Sequence, residues 1–232
     1  MASAVVAGLA VAALAMSLVA RASVSQPWGS ALRPSGIPAG IPTSLANLME
    51  LSPVPASAAP EFTLTDQAGH TMSMAGLRGR VVVLEFMDPH CTDICPIVSQ
   101  EFMSAYRDLG SLASRVVFAA VNVNQYHLRV ADVAAFSREQ RLDTIPSWHF
   151  FTGTYPALRA VWRAYGVAVH APSRNADVIH SSLVFFIDPQ GRERFLATPM
   201  VDHTMGGASF LPAGQLTSWG RGIALVARQL AG

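Results

Sequence analysis

Two cysteines are the only thiols in this chain of 232 residues, and they stand four apart as Cys91 and Cys95 in the run CTDICP. Residues i and i+4 share a face of a helical turn, so both sulfurs can address one atom. Three uses follow from that spacing: a closed disulfide, a soft-metal site, or a redox dithiol. A purely structural crosslink is the weakest of them, because closing so short a loop removes little unfolded-state entropy. Metal binding and redox chemistry are compatible, since oxidation of the pair would abolish the metal site.

The elements around the pair decide how it is presented. Val81–Phe86 is a run of β-branched and apolar residues and reads as a buried strand. Asp88-Pro89 ends it, because proline lacks the N–H a strand ladder needs and restricts the residue before it. Pro96 suits the first turn of a helix, and Ile97, Val98, Phe102, Tyr106 and Leu109 then recur near one face until Gly110. The cysteines therefore lie where a strand turns into a helix, and backbone N–H groups at a helix start favour thiolate. Asp93, between them, suits the same positive helix end, as a cap or as a functional acid.

The rest of the chain alternates in kind. Glu61–Thr65 and His70–Met74 flank a turn and read as an entry hairpin. Strands are expected at 115–124, 147–152, 182–187 and 193–196. Helices are expected at 130–141, 155–165 and 213–230. Such alternation gives a mixed sheet covered on both faces.

CTDICP resembles the CxDxCP motif of the Sco/SenC family, thioredoxin-like copper proteins of cytochrome oxidase assembly. Trp148-His149-Phe150-Phe151-Thr152-Gly153 resembles that family's W-x-F-L-T-G segment. The stretch from His180 to Gly191, HSSLVFFIDPQG, resembles its H-S-x(n)-I-D-x-x-G segment. The motifs occur in the family's order, and the resemblance runs from about Pro60 nearly to the end. It implies an α/β, thioredoxin-like three-layer sandwich with a mixed central sheet and an N-terminal β-hairpin. It also implies one copper ion, Cu(I) or Cu(II), bound by Cys91, Cys95 and His180. His180 stands just before the last core strand, at an edge where parallel-strand ends face a site. Two thiolates and an imidazole suit copper. The implied activity is copper delivery to, or thiol reduction of, the Cu(A)-bearing subunit of a terminal oxidase.

Two rivals stand beside metal carriage. One is a thiol-disulfide oxidoreductase, with Cys91 attacking, Cys95 resolving, and the lower pKa on Cys91 because it is nearer the helix start. The other is a redox sensor or binding module without turnover. Thioredoxin-type oxidoreductases space their cysteines by two residues and carry a proline before the strand equivalent to 182–187. The run Ala176–Ser182 has none, which favours metal handling.

Other soft or basic groups are candidates of lower rank. His90 could add a fourth ligand, and Met200, His203 and Met205 form a possible soft-metal loop, against the plainer readings of loop residues. His149, within an apolar strand, reads as structural. Many relatives carry an acid beside the ligand histidine; here that place is Ile179, and Asp177 is the nearby alternative for orienting the ring.

Net charge is +1 and every basic side chain is arginine, so the balance gives no sign of a nucleic-acid partner. Residues 1–22 are apolar enough for a signal peptide or a membrane anchor, and either would export the domain. Residues 23–59, rich in Pro, Ser and Ala, read as an extended tether, with an arm packed on the domain as the alternative. Residues 60–232 form the thioredoxin-like domain. Export also suits two cysteines held close together.

Overall fold

Seven consecutive residues with almost no solvent contact, Val81–Met87, form the strand around which the domain is built. The computed structural model describes residues 33–232, which make one compact unit. The expected leader or anchor, 1–22, lies outside the described residues. In chain order the elements are helix α1 (Thr43–Leu48), strand β1 (Ser52–Pro53), the hairpin β2 (Thr63–Thr65) and β3 (Thr71–Ser73), strand β4 (Val81–Met87) and helix α2 (Ile94–Leu109). Then come β5 (Val116–Asn122), α3 (Val130–Glu139), β6 (Trp148–Phe151) and α4 (Tyr155–Ala164). The chain closes with β7 (Val169–His170), β8 (Ile179–His180), β9 (Val184–Ile187), β10 (Glu193–Ala197), β11 (Asp202–His203), β12 (Ser209–Phe210) and α5 (Ala213–Ala231).

The main sheet has the order β1-β10-β9-β4-β5-β6. Strand β4 pairs parallel with β5, and β5 with β6, while β9, β10 and β1 add antiparallel neighbours. Parallel strands are covered on both faces, so they read as continuous apolar runs. On one face Val81, Val83 and Met87 join Phe102 of α2 and Trp219 and Ile223 of α5. On the other, Val82, Leu84 and Phe86 join Leu158 and Trp162 of α4. This is the thioredoxin-like three-layer sandwich, and the β2–β3 hairpin is the expected entry hairpin.

The extended tether is corrected over its described part. Ile37, Ile41, Ala46, Met49 and Leu51 are buried in the same core cluster as α5, and Ser52 and Pro53 pair with Leu196 and Phe195. Fully burying a side chain such as Leu or Met contributes about 1.5–3 kcal/mol, enough to hold this arm down despite its prolines. Close approach is possible because Gly222 of α5 leaves room where a methyl would strike the Met49 sulfur. No helix among the described residues is long and apolar enough to cross a membrane.

Candidate metal centre

The loop from β4 to α2 carries the dithiol. Asp88 is buried at its start, and its Oδ1 accepts the His90 amide at 2.8 Å and the Asn124 side-chain amide at 2.9 Å. Helix α2 begins at Ile94, two residues ahead of Pro96, so Cys95 lies inside the first turn and Cys91 just before it. Cys95 is buried and Cys91 partly exposed, and both are free thiols.

The two sulfurs are chemically unlike. Cys91 Sγ accepts from the amides of Asp93 at 3.4 Å and Cys95 at 3.5 Å, which are long contacts typical of sulfur. A hydrogen bond from the Cys95 thiol, opposed by burial and aided by these amides, brings Cys91 down to about 7. The same Cys91–Cys95 bond, then burial, push Cys95 well above the ordinary thiol range. Cys91 is thus the more acidic thiol, chiefly through the bond between the two sulfurs, with the helix-start amides as a lesser cause.

Asp93 stands at the N-cap position but does not cap: its side chain accepts nothing from the helix amides. Its Oδ1 instead meets His203 Nε2 at 3.0 Å and accepts from the Ser209 hydroxyl. His203 and Ser209 belong to the β11–β12 hairpin, which is thereby fastened to the residue between the cysteines. Met205 at its tip is fully exposed, and Met200 is partly so.

His180 reaches the same end of the sheet by another route. It lies in β8, where His180 pairs with Val169 and Ile179 with His170. Two residues on, the Ser182 hydroxyl donates to Glu85 Oε1 of β4 at 2.9 Å, tying this segment to the central strand. The His180 Nδ1 lies 3.0 Å from the Ser181 carbonyl oxygen. A carbonyl only accepts, so Nδ1 carries the proton and Nε2 keeps its lone pair. Burial holds the ring below the usual imidazole range, which keeps it neutral near pH 7. The Ser181 carbonyl thus supplies the orienting contact that Asp177 was a candidate for.

Cys91, Asp93, Asp177, Ile179 and His180 line one cleft of about 350 Å³. Cys91, Cys95 and His180 do not, however, converge to within 4.8 Å of one another. Among the described residues, the one set of three His, Cys, Asp or Glu ligating atoms that close is His90, His127 and Asp132. Of these three, only His90 is a candidate from sequence; His127 and Asp132 emerge from the fold. His127 follows the end of β5 as His90 follows the end of β4, and neighbouring parallel strand ends were the available signal. His149 is structural as expected, with Nδ1 3.1 Å from the buried Asp66.

A family model described as SCO1/SenC matches residues 52–204, a span that holds the dithiol loop, His180 and the β11 histidine. The chain belongs to the SCO1/SenC family. Curated relatives include the mitochondrial protein SCO2 of Saccharomyces cerevisiae, 27% identical over 139 residues covering 56% of this chain and 44% of the yeast protein. The mitochondrial SCO2 homolog of Bos taurus is 29% identical over 139 residues, covering 56% of this chain and 50% of its own. The match thus spans about half the length of these two relatives. Among solved structures, Bradyrhizobium japonicum ScoI with copper bound superposes with a TM-score of 0.58 at 20% identity, covering 75% of this chain and 99% of that one. Apo Sco1 of Thermus thermophilus gives 0.56 at 22% identity, over 77% of this chain and 93% of its own. These likenesses establish the thioredoxin-like fold of the SCO1/SenC domain.

Proposed function

We propose that this protein carries copper as cargo, held by Cys91, Cys95 and His180, and passes it to a thiol-bearing acceptor. The observation that carries the reading is the pairing of an acidified Cys91 thiol with a neutral His180 imidazole on the walls of one cleft. The donor set fits the ion: thiolate and imidazole are the soft and intermediate ligands copper takes, and His180 keeps Nε2 free for it. His180 comes to this cleft on the short two-stranded β7–β8 hairpin, across from Cys91. Transfer then proceeds by ligand exchange, one thiolate of the acceptor replacing one of the carrier's at a time.

By family membership the acceptor is the Cu(A)-bearing subunit of a terminal oxidase, met on the extracytoplasmic side of a membrane. Residues 1–22 supply the export signal or the anchor. The test is copper content of the reduced protein, compared with Cys91→Ser and His180→Ala. One equivalent of Cu(I) in the parent chain and loss of tight binding in both variants supports carriage. Equal copper in all three refutes it.

A second reading rests on the split between the two thiols. A Cys91 near 7 beside a protonated, buried Cys95 is the arrangement of an attacking and a resolving thiol. Reduction of a disulfide by metal-free protein, lost in Cys91→Ser, would assign thiol reduction to the same site.

A further inference from the structure

The closest assembly of ligating groups in the described domain lies beside the dithiol rather than on it. The rings of His90 and His127 have centroids 3.6 Å apart, and one ring nitrogen of each lies within 4.8 Å of an Asp132 carboxylate oxygen. Three elements supply them: the β4–α2 loop, the loop after β5, and the first turn of α3.

A buried polar network holds the two histidine loops in register. Asp88 Oδ1 accepts both the His90 amide and the Asn124 side-chain amide. Asn124 Oδ1 accepts the Tyr126 amide at 2.9 Å, and its carbonyl accepts the His127 amide at 3.3 Å. Asn122 donates to the His127 carbonyl at 2.7 Å, and its Oδ1 accepts the Asn124 amide at 2.7 Å. Asn122 and Asn124 are themselves buried, so these bonds are shielded from water and the loops are well fixed. Two imidazoles prealigned in this way lose little freedom when an ion draws them together.

We infer that His90, His127 and Asp132 form a second metal site, for a borderline divalent ion of the Cu(II) or Zn(II) class, separate from the Cys91, Cys95 and His180 set. Two imidazoles and a carboxylate suit these ions, and fewer than four protein ligands leaves a coordination position open. A surface opening of about 470 Å³, lined by His90, Asp132 and Cys91, gives the ion access. Two arginines oppose it. Arg129 grips Asp132 through Nη2 at 2.7 Å and Nε at 3.2 Å, and Arg174 is held nearby by the Tyr126 carbonyl at 2.9 Å. The Arg129 side chain is 80% exposed and Asp132 only 7%, so a bound cation has to take the place of Arg129 on this buried carboxylate, which also accepts the Arg129 amide at 3.1 Å.

The inference does not depend on the copper-carriage reading, and the experiment separates them. In the triple variant Cys91→Ser, Cys95→Ser, His180→Ala, isothermal titration with Zn(II) is expected to give one equivalent per chain. The Cu(II) electron paramagnetic resonance spectrum is expected to show two nitrogen ligands. Adding His127→Ala or His90→Ala lowers Zn(II) affinity on the order of tenfold or more. Adding Arg129→Ala raises it, because the competitor for Asp132 is gone; binding to scattered surface histidines would not respond. Circular dichroism checks each fold, and His127→Gln replaces His127→Ala if the latter unfolds. No Zn(II) binding in the triple variant, or binding unchanged by both histidine substitutions, overturns the site.

Discussion

His203 Nε2 lies 3.0 Å from Asp93 Oδ1, joining a hairpin near the end of the sheet to the carboxylate between the two cysteines. Both side chains are about half exposed, so the pair is worth at most about 1 kcal/mol. Asp93→Asn or His203→Ala should therefore leave global stability nearly unchanged while freeing residues 202–210. Amide hydrogen exchange should speed up in that hairpin and not in β4 or α5, and Cys91 should become more reactive toward a bulky thiol reagent.

The Cys91 thiol should titrate near pH 7, followed by ultraviolet thiolate absorbance or by alkylation rate. Alkylation at neutral pH should modify Cys91 and spare Cys95, which is buried and held protonated. The largest cause of the Cys91 shift is the bond from the Cys95 thiol, so Cys95→Ala should move the midpoint up. An unmoved midpoint would assign the shift to the helix amides alone.

Two buried carboxyls give a pH signature. Glu85 is pushed up to about 8 and Glu101 to about 9, both chiefly by burial; Glu85 Oε2 and both Glu101 oxygens have no hydrogen-bond partner. In the unfolded chain both titrate near the ordinary glutamate value of about 4.3. Between those limits the folded state holds protons that the unfolded state has lost, so stability falls as pH rises. Glu101→Gln should flatten the decline and make the variant more stable than the parent above about pH 8, by denaturant unfolding at several pH values.

Gly220 marks where α5 crosses α2. A methyl there would overlap the Ser104 side chain and lie 3.0 Å from the Ala105 amide nitrogen. Gly220→Ala should cost about 1–3 kcal/mol by overpacking. Gly214→Ala, at an open position in the same helix, should be neutral or gain up to about 1 kcal/mol from helix propensity. Thermal unfolding of the pair separates packing from propensity.

The sheet was readable because Val81–Met87 and Val116–Asn122 are unbroken apolar runs, buried on both faces. The arm was less so: its prolines dominate the composition, although Ile41, Leu45 and Met49 recur every four residues, the spacing of a buried helical face. Strands β7, β8, β11 and β12 have two residues each, too few to show any period. In the proposed copper site, Cys91, Cys95 and His180 are named from motifs, and the fold sets Cys91 and His180 on one cleft. The Asp93–His203 contact and the His90–His127 stack join residues far apart in the chain, and only the folded topology brings them together.

The seating of Met49 against Gly222 bears on how this protein can be cut. The family match begins at residue 52, just beyond the arm. A fragment started there would lack Ile37, Ile41, Met49 and Leu51 and would present a greasy trough along α5 to solvent, inviting self-association. Expression boundaries that keep this packing include Ile37 and the Arg33 side chain, which donates to the Ile37 and Ile41 carbonyls.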